Sequence, residues 1–356
     1  MSDKKLHLSS SPHFSAGLST QKIMACVLIA MLPECIAGVV FFGWQALVTI
    51  LVSVISCVVF EWIFQLITKQ KVVISNLSAC VTGVLLALVC PPTIPVWMVI
   101  IGDAVAIIIA KGLFGGIGSN VFNPALTGRA FLFISFPAAL GGSWIVPFAT
   151  EKGIDAVSSA TVLSQISKGI VNTSNFDFME YFIGGRAGCI GETSIMLILI
   201  SFIFLALIRV IDWRAPFTMV GTVAVCSLIS GLIGYGNFID AIKEVGIYML
   251  TGGLIFGATF MVTDYATAPV TKPGRLVFGF GCGLITFLIR KFGGYPEGVM
   301  FSILIMNSVA PFLNNLIGRM YGYGKKGNKR ADVGQIAQEF DLSTAKLRET
   351  PVKEDK

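Results

Sequence analysis

Apolar segments recur along almost the whole chain, and most of them approach the length of a membrane-spanning helix. A helix needs about 20 apolar residues to cross the hydrocarbon core of a bilayer. The chain contains ten such segments: 23–43, 46–67, 77–91, 95–111, 118–137, 194–211, 216–236, 246–263, 275–290 and 297–318. This pattern predicts an all-α, polytopic membrane protein with ten transmembrane helices.

The composition agrees with that prediction. Hydrophobic residues make up 54% of the chain and charged residues 13%, which is about half the charged fraction of an ordinary soluble domain. The polar N-terminus, MSDKKLHLSSSPHF, has no cleavable signal pattern, so we expect it to be retained. The formal net charge of +6 is typical of basic cytoplasmic loops and requires no nucleic-acid partner.

Cysteine and histidine usage argues against metal centres and hydrolase chemistry. Seven of the eight cysteines lie in apolar segments, and no two form a CxxC pair. Buried cysteine behaves as a small hydrophobic residue, so we expect no iron–sulfur or zinc site. The only histidines, His7 and His13, lie in the N-terminal tail, which leaves almost no basis for a Ser-His-Asp triad or a His-ligated metal.

The apolar segments divide into two halves that resemble each other. The first contains PPTIPVW and AKGLFGGIGSNVF, and the second contains APVTKPG and IRKFGGYPEGVMF. Pro92 precedes the first Phe-Gly-Gly by 22 residues, and Pro269 precedes the second by 23. Since five helices per copy is an odd number, the second copy must insert upside down. Such inverted repeats with interrupted helices place binding sites between the halves, and the plan resembles the urea-transporter fold.

We therefore predict five regions. They are a cytoplasmic N-terminal tail (1–22), a first five-helix repeat (23–137), an extracytoplasmic loop (138–193), a second five-helix repeat (194–318) and a charged cytoplasmic tail (319–356).

Basic residues predict that both termini are cytoplasmic. With the N-terminus inside, the inner side holds Lys4, Lys5, Lys69, Lys71, Lys111, Arg209, Arg214, Lys272, Arg275, Lys325 and Lys326, whereas the outer short loops hold Lys243, Arg290 and Lys291. This orientation places the 138–193 loop on the outer face.

Ionisable residues inside or at the edges of the apolar segments are candidates for function. They are Glu34, Glu61, Asp103, Arg129, Asp264 and Glu297. Because charge in the hydrocarbon is costly, each should face a partner, a cofactor or a water-filled path. We consider Glu61, Asp103 and Asp264 candidates for an ion pathway. The alternative for each residue is a side chain that reaches the membrane interface.

Two asparagines in GSNVFNPALTGRAF (118–131) suit recognition of a flat heterocycle. Asn120 and Asn123 share a helix face if that segment is already helical. Alternatively, Pro124 marks the first helical turn and Asn123 caps it. In either case the amides can pair with the carbonyl and NH edges of a ring.

The stretch GETS (191–194) immediately precedes the sixth apolar segment. Thr193 or Ser194 can cap the helix, with Glu192 favouring its positive end. A helix start also presents free NH groups to an anion such as a phosphate. The residues alone leave both interpretations open.

The motifs SSPH, FNPALTGRAF, GETS, FMVTDYATAPVT and YPEGVMFSILIMN occur in this order within residues 10–318. In order and spacing the chain resembles the RnfD/NqrB family, which contains the D subunit of the Rnf electron-transport complex and the B subunit of the Na+-translocating NADH:quinone oxidoreductase. The short N-terminal tail favours the Rnf member.

The resemblance implies a covalent FMN, joined by a phosphoester to Thr193, with Glu192, Ser194 and Arg129 as neighbouring cofactor-binding candidates. It also implies that Asn120 and Asn123 match positions that hold a non-covalent riboflavin in the sister family. The motif lacks the Ser/Thr-Gly-Ala-Thr form of the partner G subunit, so the attachment rests on the pattern of the D subunit alone.

The function implied is that of a membrane subunit of an Rnf-type ferredoxin:NAD+ oxidoreductase that moves Na+ or H+ across the cytoplasmic membrane. Its partners would be the A, B, C, E and G subunits, with electrons passing from the FMN of the G subunit. No GxGxxG follows a strand, so we expect no NADH site in this chain. The alternatives are the B subunit of the quinone oxidoreductase and a urea-transporter-like channel without a redox role.

Overall fold

The computed structural model describes residues 19–141, 144–145, 147–148, 178–185, 187–293 and 298–322. His7, His13, Glu297, both predicted tails apart from a few residues, and most of the predicted 138–193 loop lie outside these ranges. Within them, every regular element is helical. Several of the helices are long and apolar, which is compatible with a membrane protein.

Among the described residues, the first half of the chain contains six α-helices. They are α1 (Thr20–Phe42), α2 (Trp44–Ile67), α3 (Ser78–Leu88), α4 (Val96–Ala104), α5 (Pro124–Ser135) and α6 (Pro137–Gly141). A 3-10 turn (Ile74–Asn76) precedes α3, and α4 continues as a π-helix (Val105–Gly112). Residues 77–91 therefore form a short helix, α3, followed by a proline-rich corner that leads into α4.

The second half contains α7 (Phe178–Ile183), α8 (Ile195–Leu207), α9 (Arg214–Tyr235), α10 (Phe238–Leu250), α11 (Leu254–Phe256), α12 (Lys272–Phe292) and α13 (Val299–Gly322). A π-helix (Gly257–Met261) continues α11. Most predicted apolar segments thus correspond to one helix each.

Three helices are long and apolar enough to cross a membrane by themselves: Thr20–Phe42, Trp44–Ile67 and Arg214–Gly234. The pair Phe238–Leu250 and Leu254–Met261, bent by 59°, gives a fourth candidate span. Large apolar side chains are exposed on these helices, for example Ile29 and Ile36 on α1 and Ile55 on α2. The count of ten spans and the inversion of the second half remain predictions.

Glycine explains two places where the predicted segments were wrong. The segment 118–137 becomes helical only at Pro124: Gly118, its first residue, has a positive φ of 82°, as have Gly115 and Gly116 just before it, at 107° and 89°. These values are incompatible with a continuing right-handed helix. The segment 246–263 is interrupted in the same way, by Gly252 and Gly253 with φ of 65° and 64°.

The helix before that interruption, α10, begins eight residues earlier than the predicted segment. It packs against α9. Its early start was missed because Asp240, Lys243 and Glu244 interrupt the apolar pattern that was used to find spans.

Close helix packing depends on small residues at the contacts. A Cβ atom at Gly83 of α3 would lie 2.7 Å from the carbonyl oxygen of Ser53 and 2.9 Å from the Cα of Val54, both in α2. The Ser53 hydroxyl also donates to the carbonyl oxygen of Gly83 at 2.8 Å. Absence of a side chain at Gly83 therefore lets α2 and α3 approach at backbone distance, as is common between membrane helices.

We expect Gly83→Ala to destabilise the fold by about 1–3 kcal/mol, the usual cost of overpacking. The added methyl group meets backbone atoms, which cannot move as a flexible side chain does. Thermal unfolding of the purified protein in detergent measures the effect. The control is Gly221→Ala in α9, where nothing lies within 4 Å of the new Cβ. Equal midpoints for the two variants would contradict the proposed backbone contact.

Candidate functional site

Residues 188–194, termed here the attachment loop, are fixed against the C-terminal end of α3. The backbone NH of Ile190 donates to the carbonyl oxygen of Cys90 at 3.1 Å, and the NH of Gly191 donates to that of Leu88 at 2.8 Å. The last carbonyl groups of a helix have no partner inside the helix. The attachment loop supplies those donors, and this fixes the position of GETS.

All three polar side chains of GETS are buried, and Thr193 is only 1% exposed. Ser194 occupies the N-cap position of α8 with extended backbone angles, but its hydroxyl makes no capping hydrogen bond. Ser194 therefore lies at the predicted capping position, but its side chain does not form the expected capping hydrogen bond.

Arg129 of α5 meets the attachment loop from the opposite side. Its Nη1 lies 3.6 Å from Oε1 of Glu192, and both side chains are buried. Its Nη2 donates to Sγ of Cys189 at 3.4 Å. A side chain at Gly253, which precedes α11, would overlap the Glu192 carboxylate. The starts of α8 and α11 and the middle of α5 therefore converge on Glu192 and Thr193.

A second candidate site is a cavity of about 490 Å³, termed here the asparagine cavity. Its polar lining includes Ser78, Lys111, Asn120, Asn123 and Asp264. The apolar lining comes from α1, α3 and the π-helix after α11. The structure thus brings the predicted asparagines and one predicted ion-pathway residue, Asp264, to a single cavity.

The asparagines reach the asparagine cavity without sharing a helix face. Asn120 lies in the irregular segment and its Nδ2 donates to the carbonyl oxygen of Phe122 at 3.2 Å. Asn123 caps α5, accepting at Oδ1 from the NH of Leu126 at 3.3 Å. Of the two arrangements considered, the N-cap with Pro124 in the first turn is confirmed, and the shared helix face is wrong.

Asp264 lies in the loop after the second π-helix and stabilises that loop. Its Oδ1 accepts from the NH of Ala266 at 3.4 Å, and its Oδ2 accepts from the Thr267 hydroxyl at 3.1 Å. These bonds hold the chain that forms one wall of the asparagine cavity.

Glu61 forms a buried ion pair. Its Oε2 lies 2.9 Å from Nζ of Lys111, which also donates to the Ser78 hydroxyl at 2.5 Å. Gln65 donates to the other carboxylate oxygen at 3.4 Å. Lys111 is one of the residues that line the asparagine cavity, whereas its partner Glu61 is not.

Asp103 is fully buried between α2 and α4. It accepts hydrogen bonds from the Ser53 hydroxyl at 2.7 Å and from the Cys57 thiol at 3.2 Å on one oxygen, and from the Ser56 hydroxyl on the other. All three donors lie on α2. The contacts explain how this carboxylate is tolerated inside the fold, and they tie α4 to α2.

Two basic residues that were assigned to loops are buried instead. Lys111 is 4% exposed and faces Glu61, and Arg290 is 3% exposed. Arg290 donates to the carbonyl oxygens of Tyr248, Thr251 and Gly252 at the end of α10. Neither partnership was visible in the sequence, because the partners are far away along the chain. The signal that could have found them is a basic residue directly inside an apolar run.

We expect Lys111→Met to destabilise the protein by about 3–5 kcal/mol, since it leaves the Glu61 carboxylate buried without its cation. The double variant Glu61→Leu, Lys111→Met should recover much of that loss. Thermal unfolding in detergent compares the variants. The control is Lys243→Met, whose half-exposed pair with Asp240 at 3.4 Å is worth about 0–1 kcal/mol. A Lys111 effect as small as the control would contradict the buried pair.

The sequence of this chain is similar to those of known proteins along most of its length. The model of the NQR2, RnfD, RnfE family matches residues 7–322. The D subunit of the Na+-translocating ferredoxin:NAD+ oxidoreductase complex of Acetobacterium woodii is 39% identical over 329 residues, covering 91% of this chain and 98% of that protein.

Two further relatives are also similar along most of the chain. The D subunit of the proton-translocating ferredoxin:NAD+ oxidoreductase complex of Clostridium ljungdahlii is 39% identical over 319 residues, covering 86% of this chain and 93% of that protein. The D subunit of the ion-translocating oxidoreductase complex of Escherichia fergusonii is 33% identical over 352 residues, covering 89% of this chain and 99% of the relative.

Proposed function

The chain belongs to the NQR2, RnfD, RnfE family, and from this premise we propose that it is the D-type membrane subunit of an ion-translocating ferredoxin:NAD+ oxidoreductase complex. The observation that carries the proposal is similarity along almost the entire length of both chains to relatives with that name. The relatives differ in the ion they are named for, so either Na+ or H+ fits this chain.

We further propose ten spans arranged as two inverted five-helix repeats, in the cytoplasmic membrane, with both termini inside. The pairing of helices supports the repeat. α2 packs against α4 as α9 packs against α12, and α4 against α5 as α12 against α13. The short helices α3 and α11 occupy corresponding places in the proposed repeats, since α3 packs on α1 and α11 packs on α8.

The proposed partners are the A, B, C, E and G subunits of such a complex. Electrons would reach the attachment loop from a flavin of the G subunit on the outer side. The buried Arg129–Glu192 pair and the fixed backbone around it favour a redox role over a urea-transporter-like channel, which has no use for a modified threonine. A covalent flavin on this chain distinguishes the two classes.

Thr193 is the proposed attachment point of FMN through a phosphoester. When bound, a flavin supplies one-electron redox chemistry that the side chains lack. The residues present suit such a group. Arg129 offers guanidinium donors of the kind that pair with phosphate, and it lies beside Glu192, the residue that precedes Thr193. Because Thr193 is 1% exposed, attachment requires that the attachment loop opens or is modified before it packs.

We expect Thr193→Ala to abolish covalent flavin while the protein still inserts and folds. Mass spectrometry of the peptide that contains GETS should show FMN, less one water, in the wild type and no addition in the variant. The matched control is Ser194→Ala, which should keep the flavin, since the Ser194 hydroxyl makes no capping bond. An unmodified wild-type peptide, from cells that contain the flavin transferase, would overturn the attachment.

The asparagine cavity is the proposed site of a second, non-covalent isoalloxazine of riboflavin. Its volume of about 490 Å³ lies within the range of about 300–1,000 Å³ for small-molecule sites. Asn120 and Asn123 offer amide donors and acceptors for the polar edge of the ring. Lys111 adds a cation at the same wall, and the α1 and α3 side chains form an apolar face for the ring.

We expect the double variant Asn120→Leu, Asn123→Leu to weaken riboflavin binding by about one to two powers of ten, since each lost hydrogen bond nets about 0.5–1.5 kcal/mol. Riboflavin content per protein molecule after gentle purification measures this. Asn123→Ser is the informative control, because serine retains the α5 cap but not the amide. It should keep the stability of the protein and lose part of the flavin. Wild-type protein without extractable flavin would show that the site is empty.

A further inference from the structure

Glu34, in the middle of α1, is a buried acid that none of the proposed sites uses. Its side chain is enclosed, with the residue 2% exposed. Neither carboxylate oxygen has a hydrogen-bond partner within the described part of the chain. Glu61 and Asp103 differ, because the first is paired with Lys111 and the second accepts three side-chain hydrogen bonds.

An ionised carboxylate in such a place is unstable. Even after relaxation, burying an unpaired ion in a protein costs several kcal/mol. Intramembrane acids are accordingly rare and mark ion or proton paths. Glu34 therefore keeps its buried position only while a cation neutralises the carboxylate, and the simplest such cation is a proton on one of the two oxygens.

A second oxygen-bearing side chain lies next to Glu34. Ser201 of α8 donates its hydroxyl to the carbonyl oxygen of Ala30 at 2.7 Å. Side chains of a helix lean toward its N-terminus, over the residue four positions earlier. The Glu34 carboxyl thus leans toward the turn of Ala30 and lies beside the Ser201 hydroxyl, whose proton is donated to Ala30 and whose oxygen lone pairs remain available. A monovalent cation on Glu34 would find a second oxygen ligand there.

Glu34 also lies between the two proposed flavin sites. The α1 residues Thr20, Ile23, Met24 and Val27 line the asparagine cavity, and Glu34 follows Val27 on the same face, about 10 Å further along the helix at 1.5 Å per residue. One turn beyond Glu34, about 6 Å away by the same rise, Gly38 packs directly against Ile190 of the attachment loop. The α1 stripe therefore joins the two sites and carries Glu34 between them.

We propose that Glu34 is a cation-exchange site of the membrane domain, holding a proton or Na+ at the α1–α8 interface. Its coupling role rests on the proposed function. A cation on Glu34 removes the negative charge of the carboxylate, so an electron resides beside α1 at lower cost when Glu34 holds its cation than when it is ionised. When the electron moves on, the carboxylate releases the cation to the aqueous side. No covalent bond other than the O–H bond of the carboxyl forms or breaks.

The first test is labelling with dicyclohexylcarbodiimide, which reacts with protonated carboxyl groups in apolar surroundings. Membranes that contain the complete complex are treated and the modified residues are located by mass spectrometry. We expect Glu34 to be labelled and Glu61, which is paired with Lys111, to remain unlabelled. Glu34→Gln removes the label. If Na+ suppresses labelling, the carboxylate exchanges its proton for Na+; if it does not, the site handles protons. Both results support a cation site.

The second test is the ratio of cations moved to electrons transferred, in vesicles with the complete complex. Glu34→Gln is nearly isosteric but cannot exchange a cation, so the ratio should fall to less than half of the wild-type value. Ser201→Ala should lower the ratio by a smaller amount. Absence of label on Glu34, or equal labelling of Glu34 and Glu61, overturns the proposal, as does an unchanged ratio in Glu34→Gln. Failure of the attachment proposal is recognised separately, because it is an unmodified GETS peptide in the wild type, whatever the labelling of Glu34.

Discussion

The hydrocarbon core supplies no water, so every polar backbone group in it must find a partner in the protein. The structure meets this requirement at the ends of its broken helices. The carbonyl groups at the end of α3 accept from the NH groups of Ile190 and Gly191, and those at the end of α10 accept from Arg290. Broken helices are thereby tolerated, and their ends become fixed points from which the attachment loop and the Gly252–Gly253 turn approach each other.

The same requirement applies to charge. Glu61 is neutralised by Lys111, Glu192 by Arg129, and Asp103 is held by three donors of α2. These contacts hold neighbouring helices together. Removing one partner therefore leaves a buried charge uncompensated and also removes a contact between helices. Glu34 has no such arrangement in the described part of the chain. In our proposal an exchangeable cation neutralises Glu34, whereas fixed protein groups hold Glu61, Glu192 and Asp103.

Hydropathy predicted the positions of the regular helices well: 46–67 corresponds to α2 (Trp44–Ile67) and 194–211 contains α8 (Ile195–Leu207). It failed for residues 118–123, which are not helical: Gly118 has a positive φ of 82°, and the helix begins only at Pro124. It also missed the burial of Lys111, because the partner carboxylate is 50 residues away along the chain. Residue type and spacing singled out Asn120 and Asn123, and a loop and a helix cap, not one helical face, bring them to the same cavity.

Helix α1 extends from the asparagine cavity to the attachment loop, and so it lies beside any electron that moves between groups at these two sites. The asparagine cavity contacts α1 near its start, and the attachment loop contacts α1 near Gly38. A redox step between groups held at these two sites would therefore run beside α1, near its interface with α8. In surroundings of low dielectric constant, an uncompensated charge there interacts strongly with its neighbours. A carboxyl that can gain or lose a cation at this interface lowers that cost, and in doing so it makes electron movement and cation movement depend on each other.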